Sequence, residues 1–356
     1  PQRTGERASA TKKMTAARSE LAKLPTGKMV YAAATHFKSQ GNFHATEGKL
    51  RPVHVLHRGE INQQRGVASP GMLPLGQGLS WQIDAATTEG GRRAKLAKWL
   101  TDERHPLVWR SIVNRLWQYH FGRGIVATPN DFGRMGAAPT HPELLDWLAV
   151  DFMEHGWDLK HLIRRIVTSE TYQQDSSVTE ALLERDPENE LLARGARFRL
   201  PSWMIRDASL AASGLLNRMV GGPPIFAYQP VGVWQDQFMG RFTYEPTLGP
   251  GQYRRTLYTF WRRSSAPTFL FDSAMRRTCE VEPRRTNTPL HALTLLNDVT
   301  ALESARTLAE KVLGRQSDEN VEVRLNDMFQ SVLSRKPSAN ELAILGREHR
   351  KAHAYY

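Results

Sequence analysis

Hydrophobic residues three and four positions apart set the dominant pattern of this chain, most clearly between Arg92 and Thr171. In "WRSIVNRLWQYHF", Ile112, Leu116 and His120 form one stripe, with Trp109, Val113 and Trp117 beside it. This is the broad apolar face of a packed helix. Gly122 and Gly124 end it. In the next stretch, Thr140 and Glu143 have the S/T-x-x-E spacing of a capping box, and Pro142 loses no intrahelical bond in a first turn. Leu144, Leu145, Leu148 and Phe152 then predict a buried face, and Gly156 a stop. Asp158 caps a following helix with the stripe Leu159, Leu162, Ile163, Ile166 and Val167.

Elsewhere the pattern is more mixed. Residues 5–24 read as a helix that is polar nearly all round, the kind that leans on another element. "KMVYAAATHF" and "RPVHVLHRGEI" read as strands closed by Gly59, and residues 63–90 as an irregular loop rich in Gly, Pro, Gln and Ser. A helix is expected from Pro201 to Met219, with Arg206 and Asp207 near its start. "YRRTLYTFWRR" is the best strand candidate of the second half, because Leu257, Thr259 and Trp261 alternate with Tyr258 and Phe260. Thr288 and Pro289 open a short helix ending at Asn297, and Asp298 caps another whose inward residues are Leu302, Ala305, Leu308, Ala309 and Val312. Ser338 and Glu341 repeat the capping-box spacing before a final helix. The fold class expected is mainly α, a multi-helix globular domain with a small β-sheet component. Its segments are a linker helix from an upstream module (1–25), a small β segment and loop (26–90), a helical subdomain (91–178) and a second, mainly helical subdomain with an Arg-rich strand (179–356).

Composition adds one strong feature. The 356 residues carry 48 Lys+Arg against 36 Asp+Glu, a formal charge of +12, which favours anionic partners. Between residues 241 and 290 nine arginines face four acids. Eight of the nine are paired, as Arg254/Arg255, Arg262/Arg263, Arg276/Arg277 and Arg284/Arg285. On an extended strand the members of a pair point to opposite faces, so one can brace the fold while the other meets a ligand. The longest apolar runs fall short of a bilayer span, and the chain begins at Pro1 without a signal-like segment, as a piece of a longer precursor would.

Candidate chemistry is sparse. The single cysteine, Cys279, rules out internal disulfides, Cys-rich zinc sites and C-x-x-C-H haem attachment within this segment. His141-Pro142-Glu143 resembles H-x-E, but no P-C-x-x-C follows, and no G-x-S-x-G, H-E-x-x-H or P-loop occurs. Neither a metal nor a cofactor is therefore expected here. Asp131 fits an Asx turn better than a catalytic carboxylate. Asn114 and Arg115 read as buried polar groups, with Asp131 or Asp146 as partners for the arginine. The ligand-binding candidates are Arg254, Arg255, Tyr258, Trp261, Arg262 and Arg263, with Asp131, Arg206 and Asp207. Arginines interleaved with aromatics can grip anionic groups while rings stack on sugars. Nothing matches a nucleic-acid motif, so an anionic glycan or an acidic partner domain is the expected partner.

"VNRLWQYHFGRGIVATPNDFGRMGAAPTHPELLDWLAVDFMEHGWDLKHLIRRIVTSETYQQ", with "RRTLYTFWRR" and "RRTNTPLHALTLLND" downstream, resembles a planctomycete-type domain of unknown function over roughly residues 28–345. The resemblance implies a module of a large exported protein, often accompanied by a c-type cytochrome domain. It therefore implies an extracytoplasmic setting, in the periplasm or at the cell surface, and contact with an upstream domain of the same chain. It brings no catalytic residues. The expected role is a binding or structural module for an anionic polymer or partner domain. The alternative is a hydrolase or redox-associated enzyme acting on extracellular polysaccharide, with a site between the Asp131–His141 loop and the arginine-rich segment.

Overall fold

A computed structural model describes residues 2–23, 41–42, 49–75, 78–234, 242–262, 264–272, 281–282, 285–315 and 320–355. Helices dominate, with a single two-stranded antiparallel sheet among the described residues. The fold is mainly α with a small sheet, as the periodicity predicts. The chain divides into two compact units, residues 1–106 and 107–356.

The first unit contains α1 (Gln2–Lys23), the hairpin β1 (His54–His57) and β2 (Glu60–Val67), and α2 (Glu89–Leu100). Helix α1 is exposed from residue 10 onward, as its all-round polarity requires. The hairpin reverses through Arg58 and Gly59, both at positive φ (49° and 79°), a conformation that glycine adopts without steric cost. The expected strand at 28–37 lies outside the described residues. Thr88 caps α2 through its hydroxyl, and among the described residues of this unit Trp99 and Leu79 are the buried apolar ones.

The second unit opens with α3 (Val108–Phe121), α4 (Pro142–Glu154) and α5 (Leu159–Val167), which bury Trp109, Val113, Trp117, Phe121, Leu145, Leu148, Phe152, Leu162 and Ile166 in one core. These are largely the residues of the predicted stripes. Burying side chains of this size contributes about 1.5–3 kcal/mol each. Gly122 ends α3 at φ 78°, and a Cβ there would lie 2.6 Å from the Phe198 ring. Asn114, buried within α3, receives the Val126 N–H at 2.8 Å and donates to the Val126 carbonyl at 3.1 Å, pinning the chain as it returns from the helix. Asp158 caps α5 through the Lys160 N–H.

The expected cap of α4 is displaced by one residue. His141, not Thr140, occupies the N-cap position, and the Thr140 hydroxyl donates to the Ile125 carbonyl. The Thr140 backbone N–H also bonds that carbonyl, so tertiary pairing has taken the capping residue away from its helix. Pro142 does sit in the first turn.

Two short helices, α6 (Glu170–Gln173) and α7 (Glu180–Arg185), lead to α8 (Ser202–Ser213). Helix α8 stops six residues before Met219 because Gly214 takes the left-handed conformation, φ 91°, as its C-cap. After the irregular stretch come α9 (Pro289–Asn297), α10 (Val299–Arg315), α11 (Val321–Leu333) and α12 (Ala339–Tyr355). Asp298 caps α10 through the N–H groups of Thr300 and Ala301, and Ser338 and Glu341 form the expected reciprocal box before α12. In α10 the buried line is Thr300, Ser304, Leu308 and Val312, while Leu302 and Ala305 are exposed. The small hydroxylated residues let α10 approach α8 closely, and Lys311 Nζ donates to the Ala212 carbonyl across that contact.

The Arg-rich strand is not formed. Residues 249–253 and 256–258 are 3-10 turns, joined to the preceding stretch by isolated parallel bridges, Asn217 to Arg254 and Ile225 to Thr259. Alternation does hold from 252 to 257, with Gln252, Arg254 and Thr256 buried and Arg255 and Leu257 exposed. It ends where Asp207 takes the Thr256 N–H that a neighbouring strand would have needed. Among the described residues no helix is long and apolar enough to cross a membrane.

Candidate functional site

Two residues of α8 organise the Arg-rich segment from beneath. Arg206, 5% exposed, donates to the carbonyls of Arg254 and Gln252 at 2.9 Å each and to the Thr256 hydroxyl at 3.2 Å. Its guanidinium lies 5.1 Å from the Phe269 ring centroid and 3.8 Å from Asp207. Burial lowers its pKa, an effect opposed by the charges of Asp207 and Asp298. Asp207 in turn accepts the Thr256 N–H at 2.8 Å and the Thr256 hydroxyl at 2.7 Å.

Arg254, 2% exposed, is turned the same way. It donates to the carbonyls of Pro223 (2.7 Å), Met219 (3.3 Å) and Gly221, with the Tyr258 ring centroid 3.8 Å away. The Tyr258 hydroxyl accepts the Gly221 N–H, so the aromatic also fastens the loop. Arg206, Asp207, Arg254 and Tyr258, expected to contact ligand, are here the internal fastening of an irregular segment that meets its neighbours through isolated bridges. Arg285 serves similarly, donating to the carbonyls of Gly122 and Arg199 and to Glu282. Thus one member of the Arg254/Arg255 pair braces the fold, as the alternation argument anticipates.

The other member remains outside. Arg255 and Arg262 are exposed, and Trp261 is half-buried against the small cluster of Ala227, Phe269 and Leu270. Arg262 lies 5.9 Å from the Phe242 ring centroid. Arg263, Arg276, Arg277, Arg284 and Cys279 lie outside the described residues. Asn217 and Arg254 form an isolated parallel bridge, and the residues that follow each of them, Arg218 and Arg255, are both exposed. Neither has an acidic partner among the described residues. Sequence reasoning missed Arg218, which belongs to no arginine pair. The bridge between Asn217 and Arg254 links the two segments that carry Arg218 and Arg255.

Asp131 accepts the Gly133 N–H at 3.2 Å, the Asx turn its sequence predicts, and lines an open groove of about 630 Å³ with Glu282 and Arg285. A Cβ at Gly136 would lie 1.9 Å from the Asp131 carbonyl oxygen, which explains the glycine of this loop. Arg115 is exposed rather than buried, and it is Arg110 that pairs with Asp146, at 2.5 Å.

A separate crevice of about 350 Å³ collects Trp117, Phe121, Arg123, His141, Arg194 and Arg197. Its outer wall is the loop after α7, where Asp186 accepts the N–H groups of Glu190 and Leu191 and where Asn189 and Leu192 take positive φ of 54° and 55°. Arg123 pairs with Glu190 at 2.6 Å and Glu188 at 3.6 Å, so both carboxylates of this crevice are engaged by one of its arginines. His141 enters the crevice but Asp131, Arg206 and Asp207 do not, and no acid–base constellation unites the four. The sequence reading also passed over Asp151, His155 and His161, which converge between α4 and α5. The signal was available as two histidines flanking a glycine-ended helix.

Comparison with curated proteins and with solved structures returned no match. The pattern of the family described as PSD1, protein of unknown function (DUF1553), matches residues 92–348. That span begins within α2 and includes the α3–α5 core, the arginine-fastened segment and most of α12. The matched span covers well over half of the chain, which therefore belongs to the DUF1553 family.

Proposed function

We propose that this domain is a binding module of a multidomain exported protein, and that its exposed arginines receive an anionic polymer or an acidic partner domain. The observation that carries the reading is the exposure of Arg218 and Arg255, which follow the two bridged residues Asn217 and Arg254. Both are exposed and without acidic partners among the described residues, on a loop held from beneath by Arg254 and Arg206. A guanidinium on a fixed backbone loses less conformational entropy on binding than one on a free loop. Its planar donor fork suits sulfate and carboxylate groups. Arg262 and Trp261 extend the same chain segment and offer a further cation beside an aromatic surface. The formal charge of +12 adds a long-range attraction for polyanions. The extracytoplasmic setting and the association with an upstream, cytochrome-bearing region belong to this reading as well, and point to a glycan rather than a nucleic acid.

The experiment is a binding screen of the chain against dextran sulfate, polygalacturonate, polyglutamate and uncharged dextran at two salt concentrations. The reading requires binding to at least one polyanion that weakens on raising the salt, with none to the uncharged polymer. Equal binding to charged and uncharged polymers, or none to any of them, overturns it.

A further inference from the structure

We propose that Asp151, His155 and His161 form a binding site for a divalent transition-metal ion of the zinc class. Asp151 lies in the last full turn of α4 and is buried. His155, four residues on, is the C-cap of the same helix, and His161 belongs to the first turn of α5. The turn between them is tight. Gly156 and Trp157 both take positive φ, 64° and 63°, and the Trp157 N–H bonds the Phe152 carbonyl. Trp157 stacks on Trp109 with ring centroids 5.0 Å apart, which anchors this reversal to the core.

The consequence is convergence. His161 Nε2 lies 2.9 Å from Asp151 Oδ2, and His155 Nδ1 lies 3.4 Å from Oδ1. The two imidazoles stack with centroids 3.8 Å apart and planes 12° from parallel. One ligand atom from each of the three residues falls within 4.8 Å of the other two. A tetrahedral ion with bonds of about 2.0–2.2 Å holds its ligand atoms roughly 3.3–3.6 Å apart, so small side-chain adjustments bring the three onto one ion.

The donor set selects the metal. Two neutral imidazoles and a carboxylate suit zinc, copper, nickel or iron, whereas calcium and magnesium take oxygen donors. His155 is exposed, so a fourth position is open to water, the arrangement of a reactive or bridging site rather than a closed structural one. Two competing interactions must be displaced. His155 Nδ1 lies 2.8 Å from the Asp151 carbonyl, and Arg165 places a guanidinium nitrogen 3.6 Å from Asp151 Oδ1. Arg165 is half-exposed, with the Trp147 ring 5.8 Å away as an alternative contact, so it can yield. The site is independent of the proposed arginine surface.

The chain, freed of metal with a chelator, is titrated with Zn2+ against a chromophoric competitor and with Co2+ followed by its visible spectrum. One equivalent of each should bind, with Co2+ giving the intense bands of low coordination. His155→Ala and His161→Ala should each weaken Zn2+ binding by more than about tenfold. Arg165→Ala, which removes the competing cation, should tighten it, and His141→Ala should leave it unchanged. Absence of stoichiometric Zn2+ or Co2+ binding overturns the site, as does binding that survives both histidine substitutions. His155 lies at the surface, so His155→Ala decides the matter even if His161→Ala fails to fold.

Discussion

Replacing Arg206 with methionine tests the view that α8 holds the arginine-rich segment in place. The substitution keeps most of the side-chain length and removes three donated hydrogen bonds, to the Arg254 and Gln252 carbonyls and the Thr256 hydroxyl. It also leaves the partly buried Asp207 without its neighbouring cation at 3.8 Å. Removing one partner of a buried charged network costs about 3–5 kcal/mol. Two carbonyls left without donors belong to that figure rather than adding to it. For a unit of this size the loss corresponds to a fall in Tm of roughly 6–20 °C. Differential scanning calorimetry and urea titration measure it directly. Arg206→Lys should recover little, because one ammonium cannot span donors to Gln252 and Arg254 from the position of two guanidinium nitrogens. A loss below about 1 kcal/mol in Arg206→Met would refute the reasoning, since that is the range of an exposed ion pair.

Three further outcomes are expected. Asn114→Ala leaves both the N–H and the C=O of Val126 without their partner and should cost about 2–4 kcal/mol in the same urea titration. Glu341 is held at a pKa of about 2, below its usual 4.5, by hydrogen bonds from Arg335 and the Ser338 N–H. A lowered acid pKa contributes stability that is present above the unfolded value and is lost as pH falls through the folded one. The start of α12 should therefore loosen between pH 4.5 and about 2, and carboxyl NMR should show Glu341 titrating at the bottom of that window. Tyr244 is pushed up to about 12 by burial, with its hydroxyl donating to the Ala227 carbonyl. Its contribution is complete below the normal phenol value of 10.0 and is lost as pH rises towards 12, so ultraviolet titration should show a step near 12 that Tyr244→Phe removes, with Tyr228 and Tyr253 also ionising above 10.0.

The helices were legible because their information is local. The stripes of α3, α4 and α5 are periodic, and caps such as Asp158 and Ser338 lie beside the groups they satisfy. Thr140 shows the limit. Its spacing to Glu143 is that of a capping box, yet its hydroxyl serves Ile125, fifteen residues earlier, a competitor that spacing does not reveal. The Arg-rich segment failed as a strand for the same kind of reason. Its alternation is real from 252 to 257, but Asp207 on a distant helix claims the Thr256 N–H and turns the chain. Which arginine of a pair faces inward was likewise set by non-local carbonyls of residues 219–223, to which Arg254 donates. The bridge that links the segments of Arg218 and Arg255 joins residues far apart in sequence, so spacing does not reveal it, whereas the convergence of Asp151 with His161 lies within one helix–turn–helix and left a trace in the two histidines around Gly156.

The most direct measurement compares the chain with the Arg218→Gln/Arg255→Gln variant for binding to a sulfated glycan at low and moderate salt, with Tm recorded for both. At about 0.5–1 kcal/mol for each exposed charge, affinity should fall roughly fivefold to thirtyfold and become less dependent on salt, while Tm stays unchanged. Unaltered affinity and salt dependence in a folded double variant would contradict the account, and would remove the arginine surface from any role in recognition.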